Sequence, residues 1–230
     1  MIATLSRRCI AHAAPSRPGR PAQWAGGFTL VELLTAIGII AVLSALLFPV
    51  LARARAGAQA TACLTNLRQI GLAIRAYQQD WDDRYPWAVD PIDKSLPGIW
   101  AAYPDFMGQI PAMPLLHALL LPYARHRELF RCPLDSGYEV ADWVGRTLDA
   151  RPTSFARLGT SYSYRTDITR LQIPDGAFRA PARVAVLFDA CGRWHGSWDV
   201  GEWRYNVLHG DGHAKSLSRG QMDLELALPP

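Results

Sequence analysis

The chain has 230 residues and a formal charge of +4, which invites a nucleic-acid reading. Its distribution argues against one: residues 1–27 hold Arg7, Arg8, Arg17 and Arg20 with no acid, so the rest carries 20 basic and 20 acidic residues. Setting aside that basic leader and one apolar span leaves 178 residues, 53–230, enough for one globular domain with its own core, and no low-complexity linker or internal repeat divides them.

Residues 1–27 contain Pro15, Pro18 and Pro21 and are read as an unstructured basic leader. Its arginines suit a positive-inside signal that keeps the N-terminus cytoplasmic. From Phe28 to Ala52 there are 25 residues, among which Glu32 is the one ionisable side chain. As a helix rising 1.5 Å per residue, such a stretch crosses a bilayer core of roughly 30 Å. A secretory signal peptide has an apolar core of only about 7–15 residues and places its small-residue cut after the core, not before it. A carboxylate inside a span costs about 2.5–3.5 kcal/mol at the helix centre, which marks Glu32 as a functional residue unless it merely snorkels to the headgroups.

Gly27-Phe28-Thr29-Leu30-Val31-Glu32-Leu33-Leu34 resembles the processing signature of type IV prepilins and of type II secretion pseudopilins. The resemblance implies cleavage by prepilin peptidase between Gly27 and Phe28, followed by N-methylation of Phe28. It also implies that Glu32 neutralises the amino terminus of a neighbouring subunit during filament assembly. A buried carboxylate is tolerable once it meets its opposite charge. With 27 residues removed, Pro49 becomes position 22, where pilins of this class carry a helix-kinking proline.

Beyond the span, residues 53–81 read as an amphipathic continuation of the same helix. Cys63, Leu67, Ile70, Ile74, Tyr77 and Trp81 form one stripe at alternating steps of four and three. One helix from about Thr29 to Gln79 is expected, the alternative being a break near Gly57. Cys63-Leu64-Thr65-Asn66-Leu67-Arg68-Gln69-Ile70-Gly71 further resembles bacterial pilin-like proteins whose large C-terminal domain ends in a His…Asp-Gly signature. Cys132-Pro133-Leu134-Asp135 matches a Cys-Pro-Ser-Asp-like segment of the same group, with Leu134 in place of the small residue.

Asp80, Asp82 and Asp83 end the helix; a calcium loop would need a glycine and a distal glutamate that they lack. Residues 82–114 read as irregular loop, Leu115–Leu121 as a short helix, and Pro122–Phe130 as another. The last third reads as β: Ser161–Tyr164, Val184–Phe188, and Arg204–His209 with His213–Leu217 joined by the Gly210-Asp211-Gly212 turn. The expected fold is therefore α+β and pilin-like: a long N-terminal helix, transmembrane then amphipathic, packed on an antiparallel β-sheet domain spanning 82–230.

Cys9 leaves with the leader, so Cys63, Cys132 and Cys191 admit one bridge and one odd thiol. Cys63 and Cys132 lie in segments that match the family, which makes them the first pair to test. Cys132–Cys191 is the next, and an unpaired Cys63 buried as a small apolar residue stands beside both. His195, Asp199, His209, Asp211 and His213 could form a His/Asp site. However, the Asp211-Gly212 turn sends His209 and His213 to different strands, so no metal is assigned. Fifteen residues separate His195 from Asp211 where the family pattern has nine. Trp194, Trp198 and Trp203 read either as an exposed platform or as a loop folded on its own aromatic core.

Two functions from different classes follow. The first is a non-enzymatic structural subunit of a type IV pilus-like or pseudopilus filament, without cofactor. It would be single-pass in a bacterial inner membrane with its domain outside the cytoplasm, and its partners would be prepilin peptidase and other pilin subunits. The second is a membrane-anchored periplasmic enzyme or binding protein using residues 195–213. No nucleic-acid partner is implied.

Overall fold

The computed structural model describes residues 29–174, 176–197 and 199–230. The leader with Gly27, and likewise Phe28 and Trp198, lie outside the described residues. Helix α1 runs Leu30–Asp80, within a residue of the helix expected from hydropathy, and continues through Gly57 without a break. The chain divides into two compact units, one ending at Pro49 and the other Val50–Pro230.

In the first unit α1 buries nothing. Leu30, Leu34, Ile40, Leu46 and Phe48 all leave more than half their surface bare. Among the described residues this is one helix long and apolar enough to cross a membrane. A bare apolar stretch of that length fits a single-pass membrane protein.

In the second unit the helix changes character. Cys63, Leu67, Ile70, Ile74 and Tyr77 are buried, but Trp81, the last residue of the expected stripe, is 56% exposed. The helix has already ended. Asp82 and Asp83 take φ of 51° and 55°, and the Gln78 carbonyl accepts from Trp81 N and Asp83 N at 3.1 and 2.9 Å. Aspartate is among the few non-glycine residues that visit the left-handed region without prohibitive cost, so this acidic cluster works as a helix stop.

Residues 82–114 are not the irregular loop that the prolines suggest. They form α2 (Pro91–Ser95), a 3-10 turn (Pro97–Trp100) and α3 (Pro104–Gln109), each opening on a proline. Proline at a first helical position loses no hydrogen bond and has its φ already set, so these prolines start helices. Helix α4 spans only Leu116–Leu119, and a 3-10 turn at Arg127–Phe130 replaces the helix expected from Pro122. Strands β1 (Val140–Ala141) and β2 (Arg146–Thr147) make a small hairpin, followed by α5 (Ser154–Leu158).

The main sheet holds β3 (Tyr162–Tyr164), β4 (Ala185–Asp189), β5 (Arg204–His209) and β6 (Ala214–Ser218), antiparallel and in that order. Helix α6 (Thr166–Arg170) separates β3 from β4. The β5–β6 register pairs Tyr205 with Leu217 and Leu208 with Ala214, and Gly212 turns the hairpin at φ 91°. Helix α7 (Arg219–Leu226) closes the chain; its Ser218–Gln221 capping box is a start signal that the strand reading of this region passed over.

Alternation along the strands feeds two clusters. Leu208, Val186 and Leu187 join the cluster containing the buried stripe of α1. Tyr205, Val207, Phe188 and Leu217 join Met222 of α7. The register shift between Ala185 and Leu187 lets Val186 and Leu187 both face the α1 cluster. Gly71 of α1 lies close against β5, where a Cβ would come 2.9 Å from Leu208 Cδ1.

Candidate functional site

The acid of the apolar helix is engaged locally. Thr29 N and Thr29 Oγ1 donate to Glu32 Oε2 at 2.9 and 2.7 Å, and Glu32 N donates back to Thr29 Oγ1 at 3.2 Å. This Thr-x-x-Glu arrangement is a capping box, satisfying backbone donors that open α1. Pro49 lies inside α1. The box thus caps a helix that starts at Leu30, one residue after Thr29, and the expected cut at Gly27–Phe28 falls outside the described residues.

The second group of residues is organised around sulfur. Cys63 and Cys132 are joined by a disulfide, with Cα atoms 5.1 Å apart. Cys191 remains free and buried; burial and the neighbouring Asp142 push its thiol up to about 12. It is an inert thiol, and no Cys132–Cys191 pair forms.

His195 lies against this bridge. Its Nε2 is 3.3 Å from Cys132 Sγ, 3.0 Å from Asn206 Nδ2 and 3.2 Å from Asp189 Oδ2. The His195 side chain is 3% exposed and that of Asp189 is 0% exposed, so this is a closed polar centre. Asp189 Oδ2 also accepts from Asn206 N at 2.6 Å, stitching β4 to β5. Cys63, Cys132 and His195 bring their ligand atoms within 4.8 Å of one another. Zinc would need thiolates, and the disulfide occupies both sulfurs.

No family model, characterised protein or solved structure matches the chain.

The bridge continues into a carboxylate that gathers three segments. Cys132 N donates to Ser161 Oγ at 3.0 Å, and Ser161 Oγ donates to Asp135 Oδ2 at 2.7 Å. Asp135 Oδ1 accepts from Gly137 N and Ser154 N, both at 2.9 Å, and Oδ2 from Phe155 N at 2.8 Å. On the other side, Asn66 Nδ2 of α1 donates to the Arg131 carbonyl at 2.9 Å. Helix, Cys-Pro-Leu-Asp segment and sheet are thereby tied at one point. Asp135→Ala would strand three backbone N–H groups and the Ser161 hydroxyl, and hydrogen bonds to charged groups are worth about 1.5–3 kcal/mol each. A loss of about 3 kcal/mol in urea unfolding is expected; a loss under about 0.5 kcal/mol, the level of an ordinary surface substitution, would show that water replaces the carboxylate.

The remaining histidines are occupied elsewhere. His209 Nε2 meets Glu225 Oε2 at 2.7 Å, and its ring stacks on that of His213 at 4.2 Å. Burial pushes the His209 pKa below its ordinary value, against the pull of Glu225. His213 Nδ1 is 2.6 Å from Asp211 Oδ1 on the exposed turn. Asp199 Oδ1 accepts from Gly201 N at 2.9 Å, a local turn contact. His209, Asp211 and His213 therefore form one small group, while His195 belongs to the disulfide. Trp194 is buried with Nε1 donating to the Gly137 carbonyl at 3.2 Å, and the half-buried Trp203 ring has Arg219 over it at 5.7 Å. The described pair is a folded-back aromatic loop, not a platform. Sequence reading passed over Asp189, Asn206 and Ser161, which look like ordinary strand residues. Asp135 lay in a motif already noted, and its four donors are the reason an aspartate follows Cys-Pro-Leu.

Proposed function

We propose that the chain is a structural subunit of a type IV pilus-like or type II secretion pseudopilus filament, pilin-like in fold and not an enzyme. In this reading prepilin peptidase cuts after Gly27, Phe28 becomes the N-methylated first residue, and the subunit waits in the inner membrane before assembly. One observation carries the proposal: a helix bare and apolar from Leu30 to Leu51 whose single acid, Glu32, sits four residues after Phe28. A stretch that must be covered by lipid before assembly and by identical helices afterwards needs no buried side chain of its own. The α+β domain supports the reading, because its disulfide and the stripe from Cys63 to Tyr77 fix the lower half of the same helix to a sheet. The enclosed His195 and His209 side chains do not favour a hydrolytic site in 195–213, since neither opens to a substrate.

The test is the N-terminal residue of the mature protein, read by mass spectrometry. Methylated Phe28 is expected, and Gly27→Val should leave a precursor heavier by the 27-residue leader. An intact leader in the wild type, or a cut at another site, would sink the filament reading in favour of a simple membrane anchor.

A further inference from the structure

The centre around the Cys63–Cys132 bridge is more crowded than a disulfide requires. Cys63 comes from α1, Cys132 from the segment before Pro133, and His195 from the 3-10 turn Gly192–His195. Three polar groups converge on one atom: Cys132 Sγ at 3.3 Å, Asn206 Nδ2 at 3.0 Å and Asp189 Oδ2 at 3.2 Å all lie around His195 Nε2. An imidazole nitrogen has either one proton or one lone pair, so with the bridge closed it fully serves one of these groups. The side chains of His195 and Asp189 are 3% and 0% exposed, so bulk solvent does not serve the others. A buried polar centre that is only partly satisfied is costly.

The spacing fits another use. Tetrahedral zinc has bonds of about 2.3 Å to sulfur and about 2.0–2.1 Å to nitrogen or oxygen. Its ligand atoms therefore stand about 3.6 Å apart for sulfur and nitrogen, and about 3.3 Å for nitrogen and oxygen. The Cys132–His195 and His195–Asp189 separations of 3.3 and 3.2 Å are already near those values. Cys63 Sγ lies within 4.8 Å of the Cys132 and His195 ligand atoms. Only the sulfurs are too close: bonded, they stand about 2 Å apart, and zinc would hold them about 3.8 Å apart. The two Cα atoms are 5.1 Å apart. The Cβ atoms of a disulfide lie about 3.8 Å apart, so turning the two Cβ–Sγ bonds parallel opens the gap with the backbone in place.

We propose that the reduced protein binds one zinc ion here, through Cys63 Sγ, Cys132 Sγ and His195 Nε2, with Asp189 or a water that it holds at the fourth position. A dithiol reductant breaks the S–S bond, giving up two electrons and two protons and becoming a disulfide itself. Zinc then takes both sulfurs as thiolates and releases the two protons. The fold thus has two ways to tie α1 to the Cys-Pro-Leu-Asp segment, a disulfide where the surroundings oxidise and zinc where thiols stay reduced. The site is independent of how the N-terminus is processed.

The experiment uses the full chain in detergent, reduced with dithiothreitol in partly denaturing urea, desalted under argon and refolded with or without metal. Cobalt(II) serves as the visible probe, because a tetrahedral thiolate site gives it strong visible bands and a thiolate charge-transfer band. One equivalent should bind with those bands and be displaced by zinc, whose own Kd should lie below about 100 nM. About 10 μM free zinc should then raise the urea midpoint of the reduced wild type by on the order of 1 M and leave the oxidised wild type unmoved. His195→Gln, which keeps a polar group in the buried centre, should weaken binding at least about 100-fold while the oxidised variant still unfolds cooperatively. Cys63→Ala with Cys132→Ala should abolish binding. Absence of the tetrahedral bands would overturn the proposal. So would a reduced wild type whose refolding yield and urea midpoint zinc does not raise, or binding that His195→Gln leaves unchanged.

Discussion

Glu32→Ala and Glu32→Gln are both expected to be processed normally after Gly27 and to assemble into filaments on the order of 100-fold less well than wild type. The magnitude follows from stranding a charge at membrane depth, about 2.5–3.5 kcal/mol, at roughly 1.4 kcal/mol per factor of ten. The pair is needed because Glu32 has a second role. Its carboxylate accepts from Thr29 N and Thr29 Oγ1, so it also caps α1. Glutamine serves in a capping box as glutamate does, whereas alanine does not. If the glutamine variant assembled like wild type and the alanine variant failed, Glu32 would be a helix cap and nothing more. If both assembled fully, the acid would have no part in assembly. Loss in both, with cleavage intact, isolates the negative charge as what the neighbouring amino terminus requires.

The sequence was most legible where one pattern dominates. Hydropathy placed α1 to within a residue because an apolar run feeding directly into a four-three stripe continues one helical period, and Gly57 between them does not break it. The β5–β6 hairpin was equally readable, since Gly212 supplies the positive φ its turn demands. Legibility failed where one residue type serves two ends. Residues 82–114 read as irregular loop because they are proline-rich and aperiodic, but Pro91, Pro97 and Pro104 each begin a helical turn too short to show a period. Trp81 fitted the stripe by spacing and left it because the helix ends at Asp80 and the chain turns away through Asp82 and Asp83. The centre around His195 was out of reach for another reason. Cys132, the Asp189–His195 stretch and Asn206 are far apart in sequence, and the disulfide, the 3-10 turn after β4 and the pairing of β4 with β5 bring them together.

Removing the bridge by Cys63→Ala with Cys132→Ala is expected to lower the stability of the Val50–Pro230 unit by about 4 kcal/mol. Cys63 and Cys132 are 69 residues apart in sequence, and the chain-entropy cost of opening a loop of that size accounts for the figure. For a domain of about 180 residues this corresponds to a fall in Tm on the order of 10 °C. The double variant is preferred to either single one, because a single substitution would leave one unpaired thiol. Two anchors survive the change: Asn66 Nδ2 on the Arg131 carbonyl, and Asp135 at the head of its network. The fold should therefore persist, with a lower urea midpoint and α1 still docked. Reductant under partly denaturing conditions should bring the wild type down to the variant's midpoint and leave the variant where it is. A loss smaller than about 1 kcal/mol, far under the loop-entropy figure, would mean that Leu67, Ile70 and Ile74 hold the helix to the sheet by packing alone. The disulfide would then matter for something other than stability, and the hydrogen-bonded His195 beside it would be the residue to substitute next.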